Sequence, residues 1–219
     1  MLLNSRRTVG LPAIAAVGLA CVSCASGTSS PHAGPAPVNT GTSSAAAPSP
    51  SATASSQAPI PVESNPPGDI PDNLAFVPYR NSAGGYQFVH PEGWAEVEHG
   101  VTVRFTDKLN GVAATVVSAP SAPTVASARR DDVPRLRSSV PAFELRSVSS
   151  VTLPGGNAVL IVFRRNSDPD PVTGRQYRDE VREYLMWHAG REVRFDLFGP
   201  QGADNVDAYR TMSNSLRQS

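Results

Sequence analysis

The chain has 219 residues, 19 basic and 19 acidic side chains, and a formal net charge of zero. That balance argues against a nucleic-acid reader, which carries a surplus of cations against phosphate. The only two cysteines are Cys21 and Cys24, so everything beyond residue 24 must hold together by packing and not by disulfides.

At the N-terminus a charged start (Arg6, Arg7) leads into an uncharged run from Val9 to Ala20. The run is interrupted by Pro12 and is shorter than the about 20 apolar residues a bilayer span needs, which is the pattern of an export signal. Its end, Gly18-Leu19-Ala20-Cys21, resembles the bacterial lipobox. The resemblance implies that Cys21 is the lipid attachment site, acylated and exposed by cleavage as the new N-terminus. Cys24, preceded by Cys21-Val22-Ser23, fits that pattern less well. Arg6-Arg7 also resembles part of a twin-arginine signal, with Val9 where that motif usually has Phe. Two or more acyl chains give stable anchoring, so residues 1–20 are expected to be a lipoprotein signal and the mature chain to sit at the cell membrane on its extracytoplasmic face.

Residues 21–70 are expected to be a stalk. From Ala25 to about Pro67 the composition is nearly all Ser, Thr, Ala, Pro and Gly, with Glu63 the one charge, too little apolar surface to offset chain entropy. About 45 residues of flexible coil reach roughly 35–40 Å. The Ser/Thr/Pro content also permits O-glycosylation.

Residues 71–219 have the length of one domain with a core of its own. Period-two runs predict strands over 75–79, 86–90, 101–106 and 112–117. A helix is predicted over 124–139, broken or restarted at Pro134. Two hairpins follow, 143–153 with 157–165 across Pro154-Gly155-Gly156, and 176–188 with 191–198 about Ala189-Gly190. Strand 157–165 is apolar on both faces and should be central and covered twice. In the second hairpin a two-residue loop sets Met186 opposite Val193 and Tyr184 opposite Phe195. A last helix over 203–217 spaces Val206, Tyr209, Met212 and Leu216 as one apolar stripe. The fold class expected is α+β, a largely antiparallel sheet flanked by helices.

Gly85-Tyr86-Gln87-Phe88-Val89-His90-Pro91-Glu92-Gly93-Trp94, followed by Gly100-Val101 and the strand to Phe105-Thr106-Asp107, resembles the opening of the PsbP-like fold. The later order of hairpin, long hairpin and C-terminal helix matches as well. Together with the lipobox and stalk, the chain is similar to the mycobacterial LpqN-type lipoproteins. That resemblance implies a role in the cell envelope, association with exporters of trehalose mycolates, and binding of acyl-trehalose-like ligands. No ligand residue carries over, since none matches a motif of this sequence.

Signatures of catalysis are absent from the sequence: it holds no Gly-x-Ser-x-Gly elbow, no His-Glu-x-x-His helix and no Walker loop. His32, His90, His99 and His188 are scattered, which predicts no metal site. Asp168-Pro169-Asp170-Pro171 reads as a rigid exposed turn in preference to a cation loop. The run Arg178, Asp179, Glu180, Arg182, Glu183 reads as a solvated sheet face with cross-strand ion pairs, in preference to acid-base machinery. Trp94 reads as core, and Trp187, opposite Glu192 near a hairpin end, as the candidate contact of an apolar pocket or a partner surface.

The leading expectation is therefore a non-enzymatic envelope lipoprotein without a cofactor. It would bind an acylated glycolipid or a membrane transporter, through an apolar cleft between sheet and helix. A pure protein-interaction or scaffold module is the alternative. An enzyme is the third reading, whose mark would be paired buried ionisable groups with shifted pKa values in one cleft.

Overall fold

The computed structural model describes residues 57–64, 67–170 and 172–219. The expected anchor Cys21, its competitor Cys24 and the paired arginines lie outside them. Among the described residues no helix is long and apolar enough to cross a membrane.

The domain is α+β, as its patterning predicts. Strands β1 (Phe76–Asn81) and β2 (Tyr86–Pro91) pair with a short C-terminal β10 (Arg217–Gln218) in the order β1-β2-β10. A seven-stranded sheet is built from β3 (Ala95–His99), β4 (Thr102–Asp107), β5 (Asn110–Ser118), β6 (Glu144–Leu153), β7 (Gly156–Asn166), β8 (Arg178–His188) and β9 (Arg191–Pro200). Its order is β3-β4-β5-β9-β8-β7-β6, and every neighbouring pair is antiparallel. The β8–β9 hairpin has the predicted register, with Met186 against Val193 and Tyr184 against Phe195. Its loop, Ala189 (φ 46°) and Gly190 (φ 83°), is left-handed at both positions, the geometry that matches strand twist in a two-residue turn.

Alternation along the central strands sends side chains to two separate cores. On one face, Ala158, Tyr184, Met186, Val193, Phe195, Val103 and Phe105 meet the small sheet through Tyr86 and Phe88, and meet Met212 and Leu216 from the C-terminal end. On the other face, Val159, Ile161, Phe163, Val181 and Leu185 pack under Ala128, Val133 and Leu136. These last three belong to a continuous helical segment, made of α1 (Val125–Ser127), a π-helical turn (Ala128–Asp132) and α2 (Val133–Ser139). Thr124 caps its start, its hydroxyl accepting from Ser127 N at 3.0 Å. Pro134 is the second residue of α2, directly after the π-helical turn, so the gap that its missing N–H leaves in the hydrogen-bond ladder falls where the winding changes.

Three expectations change. Residues 95–99 form an edge strand the sequence reading leaves out, because all five are exposed and only Val97 interrupts the polar run. The last helix, α3 (Val206–Ser215), is shorter than expected; Tyr209 and Met212 are buried but Val206 is 48% exposed, and Leu216 enters the core from extended backbone beyond the helix. The folded domain also begins before residue 71. Ile70 is a core residue, its N–H donating to Asn205 Oδ1 at 2.7 Å.

Further upstream, Asn166 clasps the backbone of the segment 57–64, donating to Ala58 O (2.8 Å) and accepting from Ile60 N (3.0 Å). Glu63 pairs with Arg175 in the same segment. Low-complexity composition therefore hid a strap of about eight residues that is held by polar side chains of the domain.

Candidate functional site

Trp187 on β8 and Asn157 on β7 stand side by side at the far end of the sheet from Asn166. On β8, Trp187 shares the helix-covered face with Leu185, and its half-buried indole donates from Nε1 to Ala119 O at 2.9 Å. Ala119 is itself fixed by its N–H to Gly190 O at 2.9 Å. The ring therefore has a set orientation and forms one wall of a groove of about 550 Å³. Ala122 and Pro123, ahead of the helical segment, form another wall, and Ser150, Thr152 and Asn157 from the β6–β7 hairpin form the third. Thr152 and Asn157 are tied at 3.1 Å between Oγ1 and Oδ1.

The expected cleft was apolar; the groove that Trp187 lines is mixed, its apolar residues interrupted by the hydroxyl and amide groups of Ser150, Thr152 and Asn157. The reason is register. On β6 and β7 the residues sharing Trp187's face near the hairpin turn are Ser150, Thr152 and Asn157; Val159 borders the groove beside Ser150, while Val148 and Ile161 lie further in, under the helices. Trp94, by contrast, is buried in the core as expected. Sequence reasoning found Trp187 but missed its three polar neighbours, which come from a different hairpin.

The charged run on β8 is not a solvated face. Arg178, Asp179 and Glu183 are all under 5% exposed. Glu183 lies directly across from Asp196 on β9, and receives Arg135 Nη2 of α2 at 2.9 Å. Arg194 reaches Asp132 of the helical segment at 3.0 Å and Glu192 at 3.0 Å. Asp179 meets Arg165 only loosely, at 3.5 Å. One oxygen each of Asp179, Glu183 and Asp196 is buried without a hydrogen-bond partner.

Burial pushes the Glu183 carboxyl up to about 8, with the charge of Asp196 adding to it, and pushes Asp179 and Asp196 up to about 6 against the pull of Arg165. This is the grouping named as the mark of an enzyme. Glu183, however, is sealed beneath α2 by Arg135, so the cluster bears first on the stability of the helix-to-sheet contact.

A carboxyl whose pKa is raised by folding binds its proton more tightly in the folded state, so its stabilisation is complete below the unfolded value and fades as pH rises to the folded one. For Glu183 that window runs from about 4.3 to about 8. His90, buried against Phe105, has its pKa lowered by burial and acts in the opposite sense below about 6.5. Between pH 6.5 and 8 the unfolding temperature should therefore fall, then level off. Glu183→Gln should hold it level across that interval; an unchanged slope in that variant, read by calorimetry, would remove Glu183 as the source.

The remaining candidates do not converge. Among the described residues no group of three or more His, Cys, Asp or Glu is placed to hold a metal ion. Asp170 accepts from Val172 N, Thr173 N and Thr173 Oγ1 at 2.7–3.1 Å, so it caps its own turn.

No family model matches the chain, and no curated protein matches it. Solved structures do. The cyanobacterial PsbP (CyanoP) of Synechocystis sp. PCC 6803 is 18% identical, with 71% of this chain and 100% of that one covered, at a TM-score of 0.47. LpqN, described as involved in cell envelope biogenesis of Mycobacterium tuberculosis, is 11% identical, with 67% and 91% covered and a TM-score of 0.40. A protein of Bacteroides thetaiotaomicron VPI-5482 is 12% identical at a TM-score of 0.43; 65% of this chain is covered, and it spans about half (48%) of that one.

Proposed function

We propose that the chain is a non-catalytic binding protein of the cell envelope, held at the membrane by acyl groups on Cys21, whose domain takes the sugar head of an acylated glycolipid in the Trp187 groove. The observation that carries this reading is the fixed indole face beside Ser150, Thr152 and Asn157. A sugar ring offers apolar C–H faces to an aromatic platform and hydroxyls to amide and hydroxyl partners, and this groove supplies both. Its volume lies within the range of small-molecule sites. The acyl part of the ligand would stay outside the groove, whose lining is interrupted by Ser150, Thr152 and Asn157.

Native mass spectrometry of the full chain purified from its own membrane tests both halves. It should report a mature chain beginning at Cys21 with acyl mass added, and a retained glycolipid. Trp187→Ala should lower glycolipid retention about tenfold or more, the scale of losing a central aromatic contact, while Trp187→Phe keeps part of it. Retention unchanged in Trp187→Ala would end the assignment of the groove.

The scaffold reading has one observation in its favour. Strand β3 is an exposed sheet edge with Val97 53% exposed, open to strand addition by another protein. Crosslinking through β3 that captures an exporter subunit, with no lipid retained, would support that reading instead.

A further inference from the structure

At the opposite end of β7 from the Trp187 groove, about nine residues and so about 30 Å away along the strand, a second and smaller cavity of about 130 Å³ opens beside Phe198. The ring of Phe198 lies flat across β5 because residue 111 is glycine; any Cβ there would collide with it. Two guanidinium groups pack against that ring, Arg104 from β4 at 4.6 Å and Arg165 from β7 at 4.8 Å from its centroid. Stacking on an aromatic face leaves the N–H edges of a guanidinium for in-plane acceptors.

Three cations, Arg104, Lys108 and Arg165, and three carboxylates, Asp168, Asp170 and Asp179, line this cavity, and the cations differ in how closely they are paired. Arg165 has Asp179 behind it. Arg104 has only Asp168, at 3.8 Å and 80% exposed, and Lys108, at the turn from β4 to β5, has no ion-pair partner among the described residues. Asp170 is occupied by its own loop. Burial, together with the neighbouring charge of Arg165, lowers the pKa of Arg104 against the pull of Asp168, Asp196 and Asp179. Thr106 and Ser167 place hydroxyls on the same rim.

We propose that this cavity binds a phosphoryl group, which Arg104 and Lys108 hold from one side and Arg165 from the other, with Asp168 swung aside into solvent. Arg104 supplies a two-pronged contact of the kind guanidinium makes to phosphate. Lys108 supplies a point charge at the mouth. The site is separate from the Trp187 groove and does not depend on what that groove binds. The phosphoryl group could come from free phosphate or from a phospholipid head, and the two sources present the same oxygens to these three side chains.

Isothermal titration of the full chain in detergent tests the site, with inorganic phosphate in one arm and glycerophosphoinositol, the water-soluble head of a phospholipid, in the other. Saturable one-to-one binding of either supports the proposal; uptake of inorganic phosphate identifies free phosphate as a sufficient ligand, and uptake of glycerophosphoinositol alone identifies the lipid head. Affinity should fall as sodium chloride is raised. Arg104→Gln should weaken binding roughly tenfold or more, as loss of a charged hydrogen-bond partner does, and Arg104→Lys should fall between.

Because Arg104 also packs on Phe198, Lys108→Gln serves as the variant that leaves the fold untouched; it lies on an exposed turn and should weaken binding several-fold with an unchanged unfolding temperature. Absence of saturable binding of both ligands to the wild-type chain would overturn the proposal. So would wild-type affinity in a folded Arg104→Gln and in Lys108→Gln.

Discussion

Replacing Phe88 by Ala is expected to lower the free energy of unfolding by about 3–5 kcal/mol, the range for emptying a buried aromatic site. Phe88 is 2% exposed on β2. It lies across from Tyr79 in the small sheet, with ring centroids 5.4 Å apart, and meets Phe105 of β4 at 6.0 Å and Phe195 of β9 at 5.0 Å from the large one. With Tyr86 it is thus one of the side chains through which two sheets share one core, and these three rings pack against it tilted or edge-on, adding to plain area burial. Urea denaturation should show the midpoint falling with an unchanged slope, and the unfolding temperature should drop by about 10 °C for a domain of this size. Val97→Ala, at the exposed edge, should change stability by no more than about 0.5 kcal/mol. A loss below about 1 kcal/mol for Phe88→Ala would mean the small sheet unfolds separately from the large one.

Where local chemistry decides, the sequence is a good guide to this fold. The left-handed pair Ala189-Gly190 fixes the register of β8 against β9, so the partners of Met186 and Tyr184 can be read without coordinates. Apolar residues at both parities of 157–163 mark β7 as covered on both faces, which the two cores bear out, although β7 stands next to the edge strand β6 and not at the centre of the sheet.

What escapes the sequence depends on partners far along the chain. Glu183 is buried because Arg135, 48 residues earlier, covers it from α2, and Asp132 because Arg194 reaches it from 62 residues later. Alternation predicts that residues 179, 181 and 183 share a face, but not that the face is roofed. The strap over 57–64 is invisible for a similar reason. Its own composition favours disorder, and only Asn166 and Arg175, more than 100 residues on, give its backbone and Glu63 somewhere to bond. Trp187 could be chosen as a candidate contact residue from its hairpin position, yet the polar groups beside it come from Ser150, Thr152 and Asn157 of another hairpin.

Arg178 joins several of these long-range contacts, and Arg178→Met is expected to cost about 3 kcal/mol or more, the scale of leaving buried polar partners unmet. Its side chain is 3% exposed. Nη1 donates to Ala142 O at 2.8 Å and to Asn166 Oδ1 at 3.3 Å, and Nη2 donates to Glu144 Oε2 at 2.9 Å. Ala142 is held at φ 49°, a left-handed conformation that costs a non-glycine residue about 1–2 kcal/mol, and the bond to its carbonyl helps to keep it there. Asn166 in turn clasps the backbone of Ala58 and Ile60, so the guanidinium orients the amide that holds the strap.

Methionine keeps the apolar bulk and removes every one of these donors. Two local signatures should accompany the global loss. Residues 57–64 should become the first site of proteolysis, and the Glu144 carboxyl, which Arg178 holds below its ordinary range, should titrate upward by NMR. Glu144→Gln, on a side chain 42% exposed, should cost about 1 kcal/mol or less and leave the strap in place. If Arg178→Met keeps the strap as protected as in the wild type, Asn166 holds its orientation without the guanidinium, and the line of force from β8 to the strap is broken at that residue.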